Sequence, residues 1–149
     1  MTLEERIQKD LVSAMKNRQE NALAALRSIK TAIQNEKTNG TYHEPTDADI
    51  VWLIQKLIKQ RKESIDIYSQ AGRDELADKE QQEMFVLMNY VPKQLTEEEV
   101  EEKVKSIIAE TGASSMKDMG KVMSLATQRM KGLAEGKTIS QIVKNLLSN

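Results

Sequence analysis

Val86-Leu87-Met88-Asn89-Tyr90-Val91-Pro92-Lys93-Gln94-Leu95-Thr96-Glu97-Glu98-Glu99-Val100 is the stretch on which the organisation of this chain turns. Its first residues close a helical apolar pattern that Pro92 cannot continue, because proline has no amide donor and its ring clashes with the preceding turn. Thr96, followed three residues later by Glu99, then restarts a helix. The hydroxyl can accept from the Glu99 amide while the Glu99 carboxylate reaches back to the Thr96 amide. A helix that stops and another that is capped afresh within a few residues predicts a boundary. We place an N-terminal module over residues 1–92 and a C-terminal module over residues 93–149.

Toward the N-terminus, Leu3, Ile7, Leu11, Ala14 and Met15 recur at helical spacing behind a capping box of Thr2 and Glu5. Ala22, Leu26, Ile29 and Ile33 mark a second helix that runs out at Thr38, Asn39 and Gly40. Thr46 and Asp49 cap a third, carrying Ile50, Ile54, Leu57, Ile65 and Tyr68 and stopping at Gly72. A fourth spans about Arg73 to Tyr90, with Leu76, Met84, Leu87 and Val91 facing inward. Beyond the boundary, Val100, Val104, Ile107 and Ile108 form helix five, ending near Gly112. Ser115 is read as the cap of helix six (Met119, Val122, Met123, Ala126, Met130, Leu133), and Thr138 as the cap of helix seven (Ile139, Ile142, Val143, Leu146). The fold expected is all-α: an N-terminal four-helix module followed by a C-terminal three-helix module.

Composition narrows the functional classes. With 39% hydrophobic and 30% charged residues, the chain has apolar surface to bury and is not generally disordered. Its 22 basic and 23 acidic residues leave no global attraction for nucleic acid or membrane, so any basic site must be local. The absence of cysteine excludes disulfides, thiol nucleophiles and thiolate metal sites. No apolar run approaches the ~20 residues that cross a bilayer. Together with a first helix that begins almost at Met1, these features lead to the expectation of a cytoplasmic protein without membrane association.

No catalytic set, cofactor site or metal site is predicted. Nucleophilic catalysis needs an activated side chain beside a positioned base, and no such setting is apparent. His43 is the single imidazole and falls in a polar loop, whereas metal sites draw on several ligands. Gly120-Lys121 and Gly136-Lys137 lack the strand, first glycine and Ser/Thr of a phosphate-binding loop. Two charges interrupt apolar stripes: Arg61 follows Ile54 and Leu57, and Glu80 lies between Leu76 and Met84. If helices three and four form an antiparallel hairpin about Gly72, Arg61 comes level with Glu83, with Glu80 one turn away. A partly buried ion pair follows, serving either helix register or a polar ligand pocket.

Charge is uneven. Residues 1–92 hold 13 basic and 15 acidic side chains, residues 93–110 hold 3 and 6, and residues 111–149 hold 6 and 2. On helix six, Lys117, Lys121 and Lys131 are expected to share the face opposite the apolar stripe with Ser124 and Gln128, while Arg129, Lys137 and Lys144 lie outside it. A phosphate-binding surface and a solvated face both fit this pattern. Gly120, at the edge of the helix-six stripe, costs roughly 1 kcal/mol relative to alanine, so close approach of a neighbouring helix or of a partner backbone is expected there. Met84, Met88, Met119, Met123 and Met130 are read as core first and adaptable binding surface second.

Several motifs resemble the YqeY-like (GatB/YqeY) family: Gln60-Arg61-Lys62-Glu63-Ser64-Ile65, then Tyr68, Ala71, Arg73, Leu76-Ala77 and Glu80, then Tyr90-Val91-Pro92-Lys93-Gln94-Leu95. In the second module Gly120-Lys121-Val122-Met123 and Ala134-Glu135-Gly136-Lys137 are similar to the family's other signature. Glu135 stands where aspartate is more usual, and Val91 where leucine usually precedes the proline. The resemblance implies a two-part helical protein whose second part is similar to the tail domain of the B subunit of glutamine-dependent aminoacyl-tRNA amidotransferase, a tail associated with tRNA binding. Neither the amidase subunit nor the catalytic portion of the B subunit is resembled. A noncatalytic tRNA-binding or tRNA-associated accessory protein is thereby implied, with Lys117, Lys121, Arg129, Lys131, Lys137 and Lys144 as candidate contacts. The alternatives are a protein-interaction adaptor and a component of glutamine-dependent carbon-nitrogen ligase activity.

Overall fold

In the computed structural model residues 1–148 are described, and every regular element among them is helical. The chain divides into two compact units, Met1–Val91 and Pro92–Asn149. The first holds α1 (Leu3–Lys16), α2 (Glu20–Thr38), α3 (Asp47–Gln70) and α4 (Asp74–Met88). The second holds α5 (Glu97–Thr111), a 3-10 turn (Met116–Asp118), α6 (Met119–Arg129) and α7 (Gly136–Ser148).

Local chemistry sets the helix starts. Thr2 and Glu5 exchange both capping-box hydrogen bonds at 3.2 Å. Thr46 and Asp49 do so at 2.9 and 3.2 Å, and Thr96 and Glu99 at 3.1 and 3.2 Å. Each box satisfies two amides that the first turn of a helix leaves without partners. Gly112 ends α5 in the left-handed region, at φ 70°, where a side chain would clash.

In the first unit, α3 packs along α4, while α2 packs against α1, α3 and α4. Ile7 and Leu11, Leu26 and Ile29, Ile50 and Ile54, and Leu87 meet in one core. Each such side chain contributes on the order of 1.5–3 kcal/mol by leaving water. In the second unit α5, α6 and α7 pack mutually around Val100, Val104, Val122, Met130, Ile139 and Val143.

Several expectations need correction. Met15, Leu76 and Met88 are exposed, and Ala77 occupies the inward position beside Leu76. The inward line of α4 runs through Ala77, Met84 and Leu87, at spacings of seven and three, which turns Leu76 outward. The fourth helix stops at Met88, and the Tyr90 amide closes a tighter turn onto the Leu87 carbonyl at 3.1 Å. Ser115 caps the 3-10 turn by accepting from the Lys117 amide. Thr138 lies inside α7, whose first turn is closed by the Ile139 amide on the Glu135 carbonyl. Leu133 falls beyond α6, in a turn where Gly132 takes φ 80°.

Candidate functional site

The polar cluster of the first unit lies where α2, α3 and α4 meet. Arg61 sits one turn beyond Ile58 on α3, and Glu83 one turn before Leu87 on α4, so the packing that buries those apolar residues carries both charges inward. Arg61 Nε is 3.8 Å from Glu83 Oε2, with side-chain exposures of 14% and 8%. That distance is an ion pair but not a hydrogen bond, and Arg61 Nε finds no acceptor. The guanidinium is held elsewhere: Nη2 donates to Ser28 Oγ at 3.2 Å, and that hydroxyl donates to the Ala25 carbonyl at 2.6 Å. Burial pushes the Glu83 carboxyl above the ordinary carboxylate range, Arg61 pulls it back, and the negative charge of Glu80 raises it further. Glu80 itself is partly exposed and forms no ion pair with Arg61 among the described residues. Hairpin register brought Arg61 and Glu83 together on sequence grounds; nothing pointed to Ser28.

At the starts of α1 and α3, a cleft of about 800 Å³ is lined by Thr2, Glu4, Glu5, Val12, Glu44, Asp47 and Ile50, among others. Its carboxylates are already engaged. Glu5 caps Thr2, Asp47 accepts from the Leu3 amide at 3.1 Å, and Lys37 bridges Glu4 at 2.6 Å and Glu44 at 3.7 Å. His43 lies in the adjoining loop with Nε2 3.5 Å from Glu36. Among the described residues no group of three or more His, Cys, Asp or Glu side chains is arranged to hold a metal ion.

The six candidate basic residues of the second unit are spread over four segments. Lys117 is in the 3-10 turn, Lys121 and Arg129 are on α6, Lys131 is in the turn after it, and Lys137 and Lys144 are on α7. The single helical face expected for Lys117, Lys121 and Lys131 is therefore not formed, because α6 covers only Met119–Arg129. Lys121 shares the exposed side of α6 with Ser124 and Gln128; on α7, Lys137, Gln141 and Lys144, spaced by four and three, form an exposed row.

Arg129 stands apart from the lysines. Its two terminal nitrogens donate to Glu110 at 2.6 and 3.0 Å, a two-point pair between α6 and α5. The pair lowers the Glu110 pKa and raises that of Arg129, through the hydrogen bonds first and the charges second. Lys117, Lys121, Lys131, Lys137 and Lys144 are all exposed, and none has a carboxylate within ion-pair distance among the described residues. Glu110 was not picked out from the sequence because the contact spans 19 positions and two helices.

Gly120 also departs from expectation. It is exposed, and a Cβ built on it would meet nothing within 4 Å, so no neighbouring helix packs against it. The turn after α6 is instead supported from the front of the unit. The Leu95 amide donates to the Leu133 carbonyl at 2.8 Å, and Gln94 Nε2 donates to the Gly132 carbonyl at 3.0 Å.

These elements define a class: an all-helical protein of two units, the second carrying exposed lysines on several elements around a small apolar core. The chain belongs to the YqeY family, whose model, described as Yqey-like protein, matches residues 4–147. A Pyrenophora tritici-repentis protein named Altered inheritance of mitochondria protein 41, mitochondrial, is 35% identical over 133 residues, covering 87% of this chain and 71% of the relative. A Vanderwaltozyma polyspora protein of the same name is 27% identical over 119 residues, covering 76% and 64%. An uncharacterized protein of Schizosaccharomyces pombe is 30% identical over 86 residues, covering 58% and 69%.

The mitochondrial names of the Pyrenophora tritici-repentis and Vanderwaltozyma polyspora relatives overturn the cytoplasmic expectation. That expectation leaned on missing cysteines, and a chain without cysteine suits any redox compartment. Among the described residues no helix is long and apolar enough to cross a membrane.

Proposed function

We propose that the protein is a noncatalytic RNA-binding accessory protein whose second unit contacts the phosphate backbone of tRNA or a similarly folded RNA. The observation that carries this reading is the set of five exposed lysines, Lys117, Lys121, Lys131, Lys137 and Lys144, which have no carboxylate within ion-pair distance among the described residues. Among the described residues only Lys37 and Lys105 of the lysines have carboxylate partners, so what sets these five apart is that residues 111–149 hold 2 acidic side chains against 6 basic ones. The excess of basic over acidic side chains in residues 111–149 and the similarity to an amidotransferase tail associated with tRNA support the same reading.

Gly120 adds to the case. Among the described residues nothing outside its own helix lies within 4 Å of where its side chain would stand, which leaves the exposed side of α6 low beside Lys121, where a ligand backbone can come close. Arg129 is removed from the contact set, since a phosphate would have to displace both bonds to Glu110. For compartment, the names of the relatives support a mitochondrial setting.

The reading is tested by titrating tRNA into the wild-type protein and into variants reversed at Lys121, Lys137 and Lys144, with Arg129→Glu as a comparison. Loss of binding in the lysine variants is the expected result. Equal binding by all of them, or none by the wild type at low salt, contradicts it.

A further inference from the structure

Trp52 is the one tryptophan of the chain, and it is not in the core. It leaves α3 two residues from both Ile50 and Ile54, which turns it to the side opposite those buried residues, and half of its surface is exposed. What surrounds it matters more than the exposure. Lys56 Nζ lies 4.3 Å from the centre of the indole ring, and Lys59, seven positions on from Trp52, returns to the same face about two turns away. Neither lysine has a carboxylate within ion-pair distance among the described residues. Asp49, one turn before Trp52, has its carboxylate on the Thr46 amide at 2.9 Å.

The chemistry selects one kind of occupant. Ala48 and Gln55, the neighbours one turn away on this face, offer no second large apolar group, so an amphipathic partner helix has no stripe to dock on. An aromatic ring beside unpaired cations fits a nucleotide: the ring meets the flat face of a base, and the cations meet the phosphates on either side. We infer that the outward face of α3 at Trp52, Lys56 and Lys59 is a stacking site for an unpaired nucleotide of RNA. The inference rests on the proposal that the ligand is RNA, and it supplies what residues 93–149 lack, since all five aromatic residues of the chain lie before them. The ligand class becomes an RNA that presents unpaired bases as well as a folded backbone. Lys56, kept at the ring by its attraction to the indole face, turns to a phosphate when the base stacks.

Because Trp52 is the only tryptophan of the 149-residue chain, its fluorescence reports the site directly there. Single-stranded oligoadenylate of about eight nucleotides, within the range that single-strand sites cover, is titrated at low salt. The expected result is quenching, at least about fivefold weaker binding of Trp52→Ala measured from the oligonucleotide side, partial retention in Trp52→Phe, and a shallower salt dependence in Lys56→Gln and Lys59→Gln. Circular dichroism confirms that the variants are folded, as is expected of an exposed helix position. Unchanged fluorescence, or equal binding by Trp52→Ala, overturns the inference. If folded tRNA still binds in that case, the proposed function survives alone. If neither RNA binds, both fail. A blue shift with phosphatidylglycerol vesicles and no response to oligoadenylate overturns the inference in favour of a membrane surface.

Discussion

Glu110 holds both terminal nitrogens of Arg129, at 2.6 and 3.0 Å, which sets that arginine apart from the five lysines Lys117, Lys121, Lys131, Lys137 and Lys144. The distinction is testable because the pair is exposed and not part of the core. Glu110→Gln removes the charge that competes with phosphate for the guanidinium. Under the proposed function this variant binds tRNA more tightly, by about two- to threefold at low salt. The log-log salt slope, measured by fluorescence anisotropy, steepens by up to about 0.7 as Arg129 joins the contacts.

The second prediction concerns Gly120, where added side-chain atoms meet no neighbour. Gly120→Ala is expected to stabilise the protein by up to about 1 kcal/mol in urea unfolding, through helix propensity alone. The same substitution is expected to weaken RNA binding several-fold by raising the surface beside Lys121. A rise in stability with unchanged binding would restrict the glycine to a role in the fold.

Arg61 and Glu83 give the third prediction. Arg61→Leu leaves a buried carboxylate without its counter-charge, which costs about 3–5 kcal/mol at pH 7 when a pair is fully buried and less here, because Arg61 retains some exposure. Since the Glu83 pKa is raised in the folded protein, the folded state binds a proton more readily than the unfolded state does. Stability linked to Glu83 is therefore present below the ordinary carboxylate pKa and falls as pH rises through the raised value. Chemical denaturation at pH 5 and pH 7 is expected to show the larger Arg61→Leu penalty at pH 7. The double variant Arg61→Leu with Glu83→Leu is expected to recover most of the loss.

A fourth prediction follows from Tyr90, whose hydroxyl donates to Asp10 Oδ2 at 2.6 Å and whose ring lies 4.8 Å from the Arg6 guanidinium carbon. Burial first, then the bond to Asp10, pushes the phenol well above the ordinary tyrosine range. Tyr90→Phe keeps the packing and loses the bond, for an expected cost of about 1 kcal/mol. Ultraviolet titration of the wild type should show one tyrosine that ionises only as the protein unfolds in alkali, and the variant should lack it.

The features legible in the sequence were those fixed by neighbours along the chain. The three capping boxes need only residues three apart, and Gly112 follows directly from the end of an apolar stripe. The Arg61–Glu83 pair was legible through one further step, the antiparallel register about Gly72. What the periodicity missed has specific causes. The stripe from Met119 to Leu133 concealed a helix that stops at Arg129, because Gly132 turns the chain while Met130 and Ala134, on either side of it, still pack on the core. Glu110 and Ser28 contact their partners across helices, at separations that no local spacing encodes. Gly120 suggested a close neighbour through its low propensity, but an open surface satisfies the same observation.

The central claim, that the second unit binds RNA through its exposed lysines, is tested most directly by the salt dependence of tRNA binding in the wild type and in a Lys121→Gln, Lys137→Gln, Lys144→Gln triple variant. The account predicts measurable wild-type binding at low salt whose log-log slope falls by about 2 in the triple variant, near 0.7 for each lost contact, with the circular dichroism spectrum unchanged. A slope and affinity identical in the two proteins, or no wild-type binding at low salt, would contradict it.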